Sequence, residues 1–87
     1  MALSEDFAKA QEQVKTLVVR PSNDTLLELY GLYKQATLGD NQSEEPGMFD
    51  FVGHAKWDAW SEHRGMMKEA ASQAYIALVD SLFTNPG

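Results

Sequence analysis

The sequence predicts an all-α fold of four helices in one domain spanning residues 1–87. Three observations carry that expectation. Apolar residues recur three and four apart in four segments. Proline, glycine and capping side chains stand between those segments. No stretch alternates apolar with polar residues as a half-buried strand does.

The first helix is expected over about residues 5–18. Ser4 offers a capping hydroxyl, and Glu5 and Asp6 place negative charge at the positive end of the helix dipole. Phe7, Ala10, Val14 and Leu17 follow at helical spacing and are assigned to the core. Arg20-Pro21 stops the segment, because a residue before proline avoids helical geometry.

Pro21-Ser22-Asn23-Asp24-Thr25 starts the second helix, and Thr25 with Glu28 also fits a capping box. Leu26, Leu27, Leu29, Tyr30, Leu32 and Tyr33 go most of the way round it, so it is expected to be covered on more than one side. Gly39 suits the C-terminal cap. Residues 40–52 read as a long loop, with Asp40, Asn41, Ser43, Pro46 and Gly47 as turn formers. Its Met48, Phe49, Phe51 and Val52 suggest a loop packed down by its own apolar groups. The third helix is expected from His54 to Arg64, closed by Gly65, with Trp57 and Trp60 sharing a core-facing side. The fourth starts near Met66, carries Ala70, Ala71, Ala74, Tyr75, Leu78, Val79 and Leu82 in register, and is terminated by Pro86.

Composition narrows the function. A chain of 87 residues buries about 60–65% of its unfolded surface, so its core must be efficient. It has no cysteine, which excludes disulfides and thiolate metal sites. Met1-Ala2-Leu3-Ser4-Glu5-Asp6 has no basic region before an apolar run, so no secretory signal is expected. Every apolar run is broken well short of a membrane span. A soluble cytoplasmic protein follows as the expectation. The net charge of −6, from 13 acids against 7 lysines and arginines, disfavours nucleic acid and anionic membrane surfaces as partners. Any anion site must therefore be a local gathering of cations.

Catalysis finds little support. His54 and Asp58, four apart, make a weak metal pair with no third ligand nearby, and a solvated ion pair is the simpler account. His63 between Glu62 and Arg64 reads as an exposed helix end. No serine sits in a nucleophile elbow and no glycine-rich phosphate loop occurs. An enzyme is not expected, nor a metal or cofactor. Tyr30, Tyr33 and Lys34 crowd one side of the second helix. Two aromatic faces beside an ammonium group suit a flat anionic ligand, yet the same spacing suits packed rings and a solvated lysine. Spacing leaves both readings open.

The order of residues is more specific. Pro21-Ser22-Asn23-Asp24, Leu26, Leu29-Tyr30-Gly31, Tyr33-Lys34-Gln35-Ala36-Thr37 and Gly39-Asp40 resemble the signature of the acyl-CoA-binding protein family. Pro46-Gly47-Met48-Phe49-Asp50-Phe51 and Ala55-Lys56-Trp57-Asp58-Ala59-Trp60 resemble its second block. The resemblance runs from Phe7 through Tyr75 and implies an up-down-down-up four-helix bundle that binds long-chain fatty acyl-CoA non-covalently. It implies that Tyr30, Tyr33, Lys34 and Lys56 hold the nucleotide and its 3′-phosphate, with Tyr75 near the adenine and Lys15 as a further headgroup contact. Leu27 and Phe51, with Leu26 and Val52 beside them, fall where the family lines the acyl chain. Lysine supplies a mobile charge for phosphate and tyrosine a stacking face with a hydroxyl. Ten CH₂ groups removed from water give about 8 kcal/mol gross, offset in part by ordering the chain.

The chain also departs from that family. Val52 and His54 stand where lysines are common, Glu45 replaces a frequently basic residue, and Phe83-Thr84-Asn85-Pro86-Gly87 lacks a lysine-rich end. Affinity is therefore expected to rest more on the acyl chain and less on phosphate than in relatives. The functional expectation is a monomeric carrier and pool buffer for acyl-CoA that meets acyl-CoA-using enzymes transiently, without stable membrane insertion. The competing reading is a bundle kept as a protein-interaction module after ligand affinity weakened.

Overall fold

The structure is a computed structural model describing residues 3–84. Within them run α1 (Leu3–Val14), α2 (Asn23–Leu38), α3 (Phe51–Ser61) and α4 (Lys68–Thr84), with no strand among the described residues. Helix number and order are those the sequence predicts. The ends differ, each for a local reason.

Helix α1 stops at Val14 instead of residue 18 because its last bonds tighten to a three-residue spacing. Lys15 N–H donates to Glu12 O at 3.3 Å, and both the N–H (2.9 Å) and the hydroxyl (2.7 Å) of Thr16 donate to Gln13 O. Ser4 lies inside α1, not at its cap, while Glu5 and Asp6 do occupy the first turn. In α2 the cap is Ser22, whose Oγ accepts the Thr25 N–H at 3.2 Å. Gly39 ends the helix at a φ of 82°, which glycine takes without strain, and donates its N–H to Gln35 O at 3.1 Å.

Helix α3 begins at Phe51, so Phe51 and Val52 are helical and not part of the loop. Asp50 is the reason: a carboxylate oxygen accepts the Gly53 N–H at 3.0 Å and its carbonyl accepts the His54 N–H at 2.8 Å. After Ser61 the chain again tightens, with His63 N–H to Trp60 O at 3.1 Å and Arg64 N–H to Ser61 O at 3.2 Å, then turns at Gly65 with φ 88°. Helix α4 follows from Lys68; the expected terminator Pro86 lies outside the described residues.

Helix α4 packs on α1 and α2, and α2 also packs on α3. Phe7 meets Tyr75 while Leu17 nears Leu82, so α1 and α4 run together. Gly39 nears Lys68 while Thr25 nears Leu82, so α2 runs against α4. Leu27 shares a recess with Ala55, and Gln35 reaches Met66, so α3 runs with α2. The topology is up-down-down-up.

Phe7, Ala10, Leu29, Leu32, Tyr75 and Val79 form the buried core, flanked by Val14, Leu26, Ala36, Leu78 and Leu82. Each large member contributes about 1.5–3 kcal/mol by leaving water. At the α2–α3 crossing Gly31 is buried, and a side chain there would run into the Ala59 carbonyl. Glycine lets the two helices touch.

The connector between α2 and α3 is fastened differently from the sequence expectation. Met48, Phe49, Phe51 and Val52 are 75%, 83%, 74% and 70% exposed and pack nothing down. Polar groups hold this backbone instead. Asn41, 2% exposed, donates to Ser61 Oγ (2.9 Å) and Trp57 O (3.3 Å) and accepts the Ser43 N–H (2.9 Å). Arg64 Nη2 donates to Asn41 O at 3.1 Å, and Trp57 Nε1 to Ser43 O at 3.1 Å. Trp57 is thus a half-buried clamp, not a core residue; Trp60 alone of the pair is buried. The end at His63 is not exposed as expected: its side chain is mostly covered, with Nε2 2.7 Å from Glu28 Oε1.

Candidate functional site

Three helices bring the aromatic and basic residues together. Val14 and Lys15 at the end of α1, Leu26, Leu29, Tyr30 and Tyr33 of α2, and Tyr75 of α4 line one hollow of about 350 Å³, with Pro21 at its edge. The spacing of Tyr30 and Tyr33 on α2 turns both rings to this side. Lys15 reaches it because α1 has already ended, which frees the residue from helical register. Its exposed ammonium lies 3.5 Å from Glu12, a solvent-screened pair that a stronger anion displaces at small cost.

Phe7 orders the floor. Its ring stacks on Tyr33 (centroids 6.1 Å apart, planes at 23°) and meets Tyr75 edge-on (5.0 Å, 75°). Such pairs add about 0.5–1.5 kcal/mol each beyond burial. Burial, with Tyr33 nearby, pushes the Tyr75 hydroxyl above the ordinary phenol value. It therefore stays a protonated donor at neutral pH.

Two further cations stand at Tyr30. Lys56 Nζ is 5.3 Å and Lys34 Nζ 6.0 Å from its ring centroid, so α3 and α2 each present an ammonium to one tyrosine. With Lys15 this gathers three of the seven basic residues around the rings of an acidic protein. Lys15, Tyr30, Tyr33, Lys34, Lys56 and Tyr75 therefore form one neighbourhood. Among the described residues, no group of three His or acidic side chains is arranged to hold a metal.

Leu26, Leu27, Phe51 and Val52 are not gathered in the same way. Leu26 joins the aromatic hollow. Leu27 faces a separate recess of about 360 Å³ between α2 and α3, floored by Ala55 and Ala59 and rimmed by Asp24, Glu28, Asp58 and Glu62. Phe51 and Val52 stand in solvent on the first turn of α3. A larger hollow of about 410 Å³, between residues 16–22 and Leu82-Phe83, takes in none of these ten side chains.

The folded chain aligns with known proteins over nearly its whole length. A family model described as acyl CoA binding protein matches residues 4–79. The chain belongs to the acyl-CoA-binding protein family. It is 54% identical over 87 residues to acyl-CoA-binding protein homolog 1 of Caenorhabditis elegans, covering 100% of this chain and 99% of the relative. To the acyl-CoA-binding protein of Saccharomyces cerevisiae it is 49% identical over 80 residues, 92% of each chain. The crystal structure of Oryza sativa acyl-CoA-binding protein 2 superposes with a TM-score of 0.93 at 42% identity, covering 98% of this chain and 94% of that one.

Polar contacts that the sequence does not reveal tie the end of α2, which carries Tyr33 and Lys34, to the neighbouring segments. Gln35, fully buried, donates to Asp40 Oδ1 (2.9 Å) and Met66 O (2.8 Å), tying the end of α2 to the start of α4. The Gly65 N–H (2.9 Å), then Gln35, hold the Asp40 carboxyl below its ordinary value. Trp60 Nε1 donates to Gly39 O at 2.8 Å. Phe7 was legible as core but not as the ring beneath two tyrosines. Polar residues such as Gln35 and Asn41 leave no hydropathy signature when buried, so periodicity does not find them.

Proposed function

We propose that this protein binds long-chain fatty acyl-CoA non-covalently and acts as its carrier and pool buffer. The observation that carries the reading is the convergence of Lys34 and Lys56 on Tyr30, beside the hollow lined by Lys15, Tyr33 and Tyr75. Coenzyme A combines a flat base with phosphates, and this site combines ring faces, a phenol donor and ammonium groups. Stacking on tyrosine and charge-assisted contacts from lysine match it part for part. In this reading Lys34, Lys56 and Lys15 meet phosphate, and Tyr30, Tyr33 and Tyr75 meet the nucleotide. The acyl chain lies along α2 and α3, against Leu26, Leu27, Phe51 and Val52.

That course explains why large apolar groups stand uncovered at the start of α3, since a bound chain would cover them. Carriage requires no attack on the thioester, so we assign no catalytic residue and no cofactor. A cytoplasmic monomer that hands its cargo to acyl-CoA-using enzymes completes the proposal. Isothermal calorimetry with hexadecanoyl-CoA tests it. Saturable one-to-one binding is expected, with free coenzyme A much weaker because the chain supplies about 0.8 kcal/mol per CH₂. No heat at micromolar concentrations leaves the bundle as an interaction module.

A further inference from the structure

Lys34 is held in an unusual manner. Among the described residues no carboxylate lies within ion-pair distance of it. Its Nζ instead sits 5.0 Å from the centroid of the Trp60 ring, closer than to Tyr30 at 6.0 Å. Trp60 is a firm support. It is buried, and its indole N–H is committed to Gly39 O at 2.8 Å. Gly39 closes the helix that carries Lys34, so the ring is pinned to the end of that helix.

An aromatic face holds an ammonium group without cancelling its charge. A carboxylate partner would have to be displaced when phosphate arrives, and a free lysine would lose its rotamer freedom on binding. The ring avoids both costs. We propose that Trp60 is a positioning residue for ligand binding, seating the Lys34 ammonium beside Tyr30 in advance of the anionic headgroup. The proposal rests on the headgroup reading of Lys34 given above. Among the described residues Lys56 lies over one ring, that of Tyr30 at 5.3 Å.

A double-mutant cycle tests it, with hexadecanoyl-CoA affinity measured for wild type, Trp60→Leu, Trp60→Phe, Lys34→Ala and the Trp60→Leu/Lys34→Ala pair. Leucine and phenylalanine both lose the bond to Gly39, but only leucine loses the ring. Trp60→Leu is expected to weaken binding about five- to thirtyfold, Trp60→Phe to restore most of that, and Trp60→Leu to add nothing once Lys34 is alanine. Equal losses from Trp60→Leu in both backgrounds would show a purely structural role and overturn the proposal. Normal binding by Lys34→Ala overturns it too, and identifies the headgroup reading as the failed premise. A readout free of folding artefacts comes from wild-type NMR. The Lys34 methylene protons nearest Nζ should show an upfield ring-current shift, and shifts at random-coil values refute the seat.

Discussion

The aromatic hollow and the α2–α3 connector are both rich in large apolar side chains, yet they are held in opposite ways. In the hollow the rings themselves are the support, with Phe7 packed on Tyr33 and Tyr75. In the connector and the first turn of α3 the large apolar side chains are the outer surface, and Asn41, Trp57 and Arg64 fasten the backbone through hydrogen bonds. One region presents polar tips on an apolar floor, and the other apolar side chains on a polar frame. Apolar composition therefore does not say whether a segment is core. An uncovered apolar surface of this kind would suit the hydrocarbon tail of the proposed ligand.

The sharpest way to break this contrast is to truncate one phenylalanine from each region. Phe7→Ala should destabilise the fold by about 3–4 kcal/mol, because it leaves a cavity beneath two tyrosines. Phe49→Ala, at a side chain 83% exposed, should change stability by about 0.5 kcal/mol or less. Urea denaturation reads both. Comparable losses would mean that the connector is packed down after all.

Next in size is Asn41→Ala, expected to cost about 2–3 kcal/mol, since it strands the Ser43 N–H and loses the bonds to Trp57 and Ser61. Hydrogen exchange supplies the local readout, with the Ser43 amide losing protection while those of α1 and α4 keep theirs. A uniform loss across the protein would argue that Asn41 serves the whole fold and not the connector.

Lys34→Ala acts on binding instead. It should weaken hexadecanoyl-CoA by roughly 1.5–3 kcal/mol through loss of a charged hydrogen bond, with stability nearly unchanged. A mutant that binds normally, or that unfolds, removes Lys34 from the headgroup role. With Val52, His54 and Glu45 in place of added cations, the affinity should also fall only gently as salt is raised. A steep decline would show that phosphate dominates.

Helical period revealed which faces of α1, α2 and α4 are apolar, and Phe7, Ala10, Leu29 and Val79 are indeed buried. It could not reveal that Asp50 caps α3, because aspartate serves turns and caps alike. Nor could it show Lys56 beside Tyr30 or Lys15 beside Tyr75, which meet only through tertiary packing. Those positions came from the order of residues in a family resemblance, and the geometry now explains why they sit together. The polar frame at Asn41 and Gln35 was invisible for a related reason. Half of its partners are backbone carbonyls and N–H groups, which any sequence possesses.

The gentlest test concerns the clasp between the connector and α3. His54 Nε2 lies 2.6 Å from Glu45 of the connector and its Nδ1 3.0 Å from Asp58, one turn further along α3, with the Trp57 ring 6.0 Å away. Glu45, then Asp58, raise the imidazole above its ordinary value. Only the charged ring can donate to both carboxylates at once; the neutral ring turns a lone pair toward one of them. A raised folded-state value means that the clasp is fully present below the unfolded histidine value near 6.5 and is lost as pH rises through the folded value. Stability to urea should therefore decline slightly across that window, and His54→Gln should flatten this decline. Because the imidazole is partly exposed and both carboxylates are exposed, the change is expected to be small beside that of Asn41→Ala. Glu45→Gln should lower the His54 midpoint in an NMR titration. If His54 titrates at the free-imidazole value and Glu45→Gln leaves it there, the connector is held by neutral hydrogen bonds alone. The polar frame would then be indifferent to pH in this range.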